Sequence, residues 1–183
     1  AATLNSSFSS ITFYDIGKRL SCTGSNGRIS GSKVGETAVI RNSFGAVDLK
    51  DVGGAVEIEN SNGKILVQEI RGNAVLRNRF GEIEAAGISG NATLTSSNAA
   101  IRLSRVTGIA DVRGSFGAVT VSGAGKGAKI ISGNGAVIVS DAEGETYIKN
   151  SFGMVRADRV TGKLTVENAN SNVNATGVTG GIT

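Results

Sequence analysis

Asn42-Ser43-Phe44-Gly45-Ala46-Val47 decides the fold because it recurs. Near-copies of its Ser43 segment begin at Ser7, Ser25, Ser61, Arg79, Ser97, Ser115, Gly133, Ser151 and Ala169. Together with Ser43 they keep a spacing of 18 residues without insertion or deletion. A period held that strictly marks a stacked repeat, not a closed globule.

With Ser7 as position 1 of the first coil, position 5 is Ile or Val in all ten coils, from Ile11 and Ile29 to Val155 and Val173. Position 10 is apolar throughout (Ile16, Val34, Val52 and so on), and position 16 carries Cys22, Ile40, Ile58, Leu76 and their equivalents. Positions 7 and 14 are apolar in most coils. Apolar sites at 5 and 7, then at 14 and 16, have the period of two that strands require. Gly recurs at positions 3 and 12, where a corner needs positive φ or close backbone approach. The reading is an all-β fold: a parallel β-solenoid of about ten 18-residue coils, each with two short strands near positions 4–8 and 13–17. Layers ~4.8 Å apart give a rod on the order of 50 Å long. Parallel crossovers favour the right hand, so a right-handed coil is expected, although coils of this length also suit triangular left-handed β-helices. Residues 1–183 form one repeat domain whose pattern runs off both ends.

Composition supports thin stacked strands. The chain has 27 Gly, no Pro, no His and 4% aromatic residues; Pro cannot donate to a ladder and is kept out of internal strands. Net charge is +4 with both signs mixed along the chain, so no one-sided basic surface for nucleic acid is expected. No apolar run approaches the roughly 18 residues of a membrane span.

Chemistry is sparse. Without His and with a single Cys, Ser-His-Asp, Cys-His and His-based metal sites are excluded. Cys22 lies in an apolar column and reads as core. Asp51 and Glu69, at position 9 of adjacent coils, are the one candidate carboxylate pair of the glycosidase type, but Lys33 in the same column makes a charge ladder an equally direct reading. Further ladders are expected between Asp141 and Arg159, Glu145 and Lys163, Lys149 and Glu167, and along Arg41, Glu59 and Arg77. The Gly-Gly-x-Gly-x-Asp turns of calcium β-rolls are missing. No catalytic residue, metal or cofactor is assigned.

A second period of 36 residues overlies the first: position 2 alternates Phe8, Asn26, Phe44, Asn62, Phe80, Asn98, Phe116, Asn134, Phe152, Asn170. Arg41, Arg77, Arg113 and Lys149 stand three residues before the last four phenylalanines. Facing water, Arg41, Phe44, Arg77, Phe80, Arg113, Phe116, Lys149 and Phe152 form an aromatic–cationic stripe for sugars, bases or a partner. Facing inward, the rings are core, and the alternation spares them from stacking in every layer. The inward orientation is the expectation.

Ser61-Asn62-Gly63-Lys64-Ile65 through Ile70-Arg71-Gly72-Asn73-Ala74 resembles the bacterial adhesin-type family of β-strand-repeat proteins. The resemblance covers nearly the whole chain. It implies a β-solenoid on the extracytoplasmic side of a bacterial envelope (surface, envelope or secreted), without catalytic residues. The functional expectation is therefore a non-enzymatic structural, adhesin-like module presenting a rigid repetitive surface. Two alternatives stand beside it: a subunit forming filaments by end-to-end stacking of open coil edges, and a carbohydrate-binding or carbohydrate-cleaving solenoid. The partners expected are the chain itself or cell-surface and extracellular polymers.

Overall fold

A computed structural model describes residues 1–183. Twenty strands follow one another with no helix, from β1 (Ala2–Ser6) and β2 (Ile11–Ile16) to β19 (Leu164–Asn168) and β20 (Val173–Thr176). Odd-numbered strands form one ten-stranded parallel sheet and even-numbered strands a second, each strand pairing with those one coil away. The register is the sequence period: β5 (Ala38–Phe44) pairs with β7 (Val56–Asn62) through Ala38↔Val56, Asn42↔Asn60 and Phe44↔Asn62. Every side chain therefore sits on the residue 18 positions away, and a column of sequence is a column in space.

The two sheets enclose one core of 41 buried apolar residues. The even-numbered strands contribute positions 5, 7 and 10, and the odd-numbered strands positions 14 and 16. The expected positions 5, 7, 10, 14 and 16 are all inward, and Cys22 is 1% exposed. Burial pushes its thiol up to about 11.

The strands extend beyond the expected positions 4–8 and 13–17. In the even-numbered strands the reason lies at position 9. Strict alternation from 5 and 7 would turn position 9 inward and position 10 outward. Instead all ten coils place position 9 in the left-handed region, as Asp15 (φ 57°), Lys33 (58°), Asp51 (55°), Glu69 (56°), Gly87 (72°), Arg105 (53°), Gly123 (71°), Asp141 (55°), Arg159 (53°) and Gly177 (63°). This residue is skipped in the ladder, as in β6 (Val47–Val52) against β8 (Ile65–Ile70), where Val52 pairs with Ile70 while Asp51 and Glu69 do not pair. Like a bulge, it shifts the phase by one and returns position 10 to the core. A left-handed non-glycine residue costs about 1–2 kcal/mol, and the inward turn of one apolar residue per coil offsets it. Positive φ at the corners is confined mostly to position 3: Gly45 has φ 106°, and a Cβ there would lie 2.5 Å from the Gly27 carbonyl oxygen. Position 12 needs Gly chiefly for contact, since a Cβ on Gly162 would stand 2.2 Å from the Gly144 carbonyl carbon.

Position 18 carries a buried polar column: Asn42, Asn60, Asn78 and Asn150, with Ser96 and Ser132, are all at most 6% exposed. Asn60 Nδ2 donates to the carbonyls of Asn62 (3.2 Å) and Gly63 (3.0 Å) in the corner that follows it, and of Gly45 (3.0 Å) in the corner before it. Asn42 and Asn150 repeat the pattern. Each of these amides thus ties two successive corners together and satisfies the position-3 carbonyls, which receive no backbone hydrogen bond. Only Asn60 also uses its Oδ1, accepting from the Ser61 N–H at 3.1 Å; the Oδ1 atoms of Asn42, Asn78 and Asn150 have no partner. Asn60→Ala is therefore expected to destabilise the rod by about 1–3 kcal/mol in urea unfolding, with Asn98→Ala, an exposed position-2 residue, costing less; equal costs would contradict the corner role. Cys22 is expected to resist a water-soluble thiol reagent in the folded protein at mildly alkaline pH and to react once urea unfolds it.

Candidate functional site

Corner geometry settles the Phe column, and against expectation. Phe44, Phe80, Phe116 and Phe152 are 54–55% exposed and Phe8 is 85% exposed, so the rings face solvent. At Phe44 and Phe152 the position-18 carboxamides of Asn42 and Asn150 lie on the inner side and hold the carbonyls of positions 2 and 3. Phe116 instead follows Gly114 at position 18 and is equally exposed, so the outward set does not depend on the carboxamide. With the rings outside, the alternation does not arise from crowding in the core. The intervening Asn residues have a bonding role, with Asn26, Asn62, Asn98 and Asn170 each donating from Nδ2 to the carbonyl of position 1 in the preceding coil at 3.0–3.4 Å. The rod thus carries a row of rings, one every second layer.

Beside this row runs a groove. Positions 17 (Arg41, Glu59, Arg77, Thr95) form one wall and positions 1 (Ser43, Ser61, Arg79, Ser97) the other, enclosing about 520 Å³ with no apolar lining residue. The same columns form a second stretch of about 370 Å³ at Lys149, Ser151 and Glu167. The structure thus places all eight residues of the predicted stripe along one outer edge of the rod.

Each cation of the stripe is paired within the chain. Arg41 Nε lies 3.5 Å from Glu59, Arg77 Nη1 3.6 Å from Glu59 and 3.7 Å from Glu57, Arg113 Nη2 3.3 Å from Asp111 and Lys149 Nζ 3.2 Å from Glu167. All are half-exposed, where such pairs contribute about 0–1 kcal/mol; they orient the side chains without removing them from solvent. Lys149, by hydrogen bond first and charge second, and the Tyr147 hydroxyl, 3.0 Å from Oε1, together hold the Glu167 carboxyl below its usual range. Arg79 places its guanidinium 5.8 Å from the Phe80 ring centroid.

On the opposite sheet, Asp51 and Glu69 line a common groove of about 430 Å³ but are drawn to different cations. Asp51 lies 3.7 Å from Arg71, whereas Glu69 lies across Gly87 to meet Arg105 at 3.2 Å, two coils away. The expected Lys33–Asp51 ladder is not formed, since Lys33 Nζ sits 4.9 Å from the Tyr14 ring centroid; both carboxylates are taken up by arginines instead. Asp141 and Arg159 form the expected pair in bidentate form, at 2.6 and 2.9 Å, whereas Glu145 and Lys163 make no ion pair. No group of three or more His, Cys, Asp or Glu residues converges to hold a metal.

Comparison of the chain with protein-family models, curated proteins and solved structures returned no significant match.

The Arg159 hydrogen bond holds the Asp141 carboxyl below its ordinary range. A depressed carboxyl contributes stability that is present above its unfolded value and lost as pH falls through the folded one. In a carbon-detected titration Asp141 is thus expected to protonate below the ordinary value of about 3.9, and Arg159→Ala to return it upward. An unchanged midpoint in that variant would contradict the bidentate pair.

Proposed function

We propose that this chain is a non-enzymatic, extracytoplasmic structural module, adhesin-like, that works through a long rigid edge and not through a pocket. The observation that carries this reading is the row of outward phenylalanines repeated at one orientation along the rod. Exposed aromatic rings at a fixed spacing of two layers along one edge present a repeated set of contact points. Stiffness supports the same reading: the buried amides of Asn42, Asn60 and Asn150 tie successive corners together, and parallel ladders run through both sheets. A row of identical sites on a stiff support suits an extended partner such as a surface or extracellular polymer, because weak contacts repeated on one body add through effective concentration. The groove beside the row supplies hydroxyl, carboxamide, carboxylate and guanidinium groups able to orient a bound chain.

Replacing Phe44, Phe80, Phe116 and Phe152 with Ser is expected to leave the circular dichroism spectrum and melting temperature nearly unchanged. It should lower retention on envelope and extracellular-polymer fractions by roughly tenfold or more. Equal retention of the two proteins would remove the stripe from function. Fractionation of cells carrying the full-length gene tests the compartment, and recovery in the cytoplasm would contradict it.

A further inference from the structure

We infer that the Phe/Asn edge is the interface of an antiparallel dimer of this chain. This rests on the reading of that edge as an interaction surface and names its partner: a second copy, laid alongside with its rod reversed.

The argument begins with spacing. Rings in every second layer are roughly 9.6 Å apart, twice the ~4.8 Å strand separation. A ring from a partner placed midway would lie ~4.8 Å from a neighbour on either side, inside the about 4.5–7 Å range of favourable aromatic pairs. The slot is free, because Asn and not Phe occupies position 2 of the intervening layer. The surface that would fill these slots needs rings at the same period, shifted by one layer. This edge, reversed, is such a surface.

Symmetry supplies the shift. A two-fold axis lying in the interface and perpendicular to the rod brings each column against itself with layer order reversed. Placed between the fifth and sixth coils, it sets Phe80 against Asn98 of the partner subunit, Phe44 against Asn134 of the partner subunit and Phe152 against Asn26 of the partner subunit. All five rings on each rod then meet Asn layers. A two-fold axis along the rod does the opposite, setting Phe against Phe and Asn against Asn.

Ring match selects among antiparallel placements, and charge is compatible with it. In the central one, Arg41 faces Ile131 of the partner subunit, Glu59 faces Arg113 of the partner subunit, Arg77 faces Thr95 of the partner subunit and Thr23 faces Lys149 of the partner subunit. No like charges meet in column 17. The contact between Glu59 and Arg113 of the partner subunit occurs twice, each time joining pairs already present within the chain at 3.5 Å (Arg41–Glu59) and 3.3 Å (Arg113–Asp111). Sliding one rod by two coils leaves four of the five rings on each rod against Asn layers, over a shorter overlap. The intramolecular pairing also leaves no free row of cations, which disfavours a polyanion as the occupant.

Size is adequate. Ten layers by four columns span roughly 600–700 Å² on each rod from the ~4.8 Å and ~3.3 Å spacings, close to the about 800 Å² per partner of a standard interface.

The test is sedimentation velocity on the folded chain at concentrations up to about 100 μM, in the range of weak but specific interfaces, with crosslinking alongside. A discrete dimer is expected. Phe80→Ser with Phe116→Ser should weaken it by roughly tenfold or more at unchanged melting temperature. Oxidising a mixture of Ser61→Cys and Ser115→Cys proteins should give mixed covalent dimers, since those positions face each other. Neither variant should crosslink alone, its own copies being three layers, ~14 Å, apart. A monomer throughout, a dimer indifferent to the Phe changes, open-ended polymers, or self-crosslinking of either variant would overturn the dimer. If the chain is monomeric yet the Phe variants still lose retention on polymer fractions, the dimer fails while the interaction edge stands; if retention is also unaffected, both fail.

Discussion

Every feature of this molecule depends on the parallel ladder that sets each residue on the one 18 positions away. Because register is uniform, a residue type repeated in sequence becomes a continuous physical object: an apolar column is a wall of the core, an amide column a seam, a ring column an edge. Errors of register are penalised in the same manner, since a slip of one residue would move every column at once.

That ladder holds two corrections to simple alternation. The left-handed residue at position 9 lets each even-numbered strand bury a third apolar side chain, and the position-18 amide closes the corner from inside. The aromatic edge is independent of the second: Phe116 follows Gly114 and is as exposed as Phe44, which follows Asn42.

Most of the fold was legible because position 5 is always Ile or Val and the 18-residue period never breaks. Position 9 was not legible as backbone geometry, since Asp, Lys, Glu and Arg fill most of it and the column reads as a charge ladder, which it is at Glu69 with Arg105 and at Asp141 with Arg159. The Asn column was open to view in Asn42, Asn60, Asn78 and Asn150 but carries no hydrophobic signal, and its role depends on carbonyls freed at a corner that pattern alone does not draw. The orientation of Phe44 was likewise not legible, since a regular column of rings carries the same apolar signal whether it faces the core or the solvent. Charge columns predicted pairs such as Asp141 and Arg159. The prediction failed for Lys33 and Asp51, where the lysine lies over Tyr14, and for Glu145 and Lys163, which sit beside the position-12 turn.

The outward set of the rings is the central claim, and 4-fluorophenylalanine labelling tests it directly. In fluorine NMR of the folded chain, dilute enough to be monomeric, transfer from H2O to D2O should shift the resonances of Phe8, Phe44, Phe80, Phe116 and Phe152. Phe13, 6% exposed in the core, should not respond. Six unresponsive resonances would place the Phe column inside the rod and contradict the account.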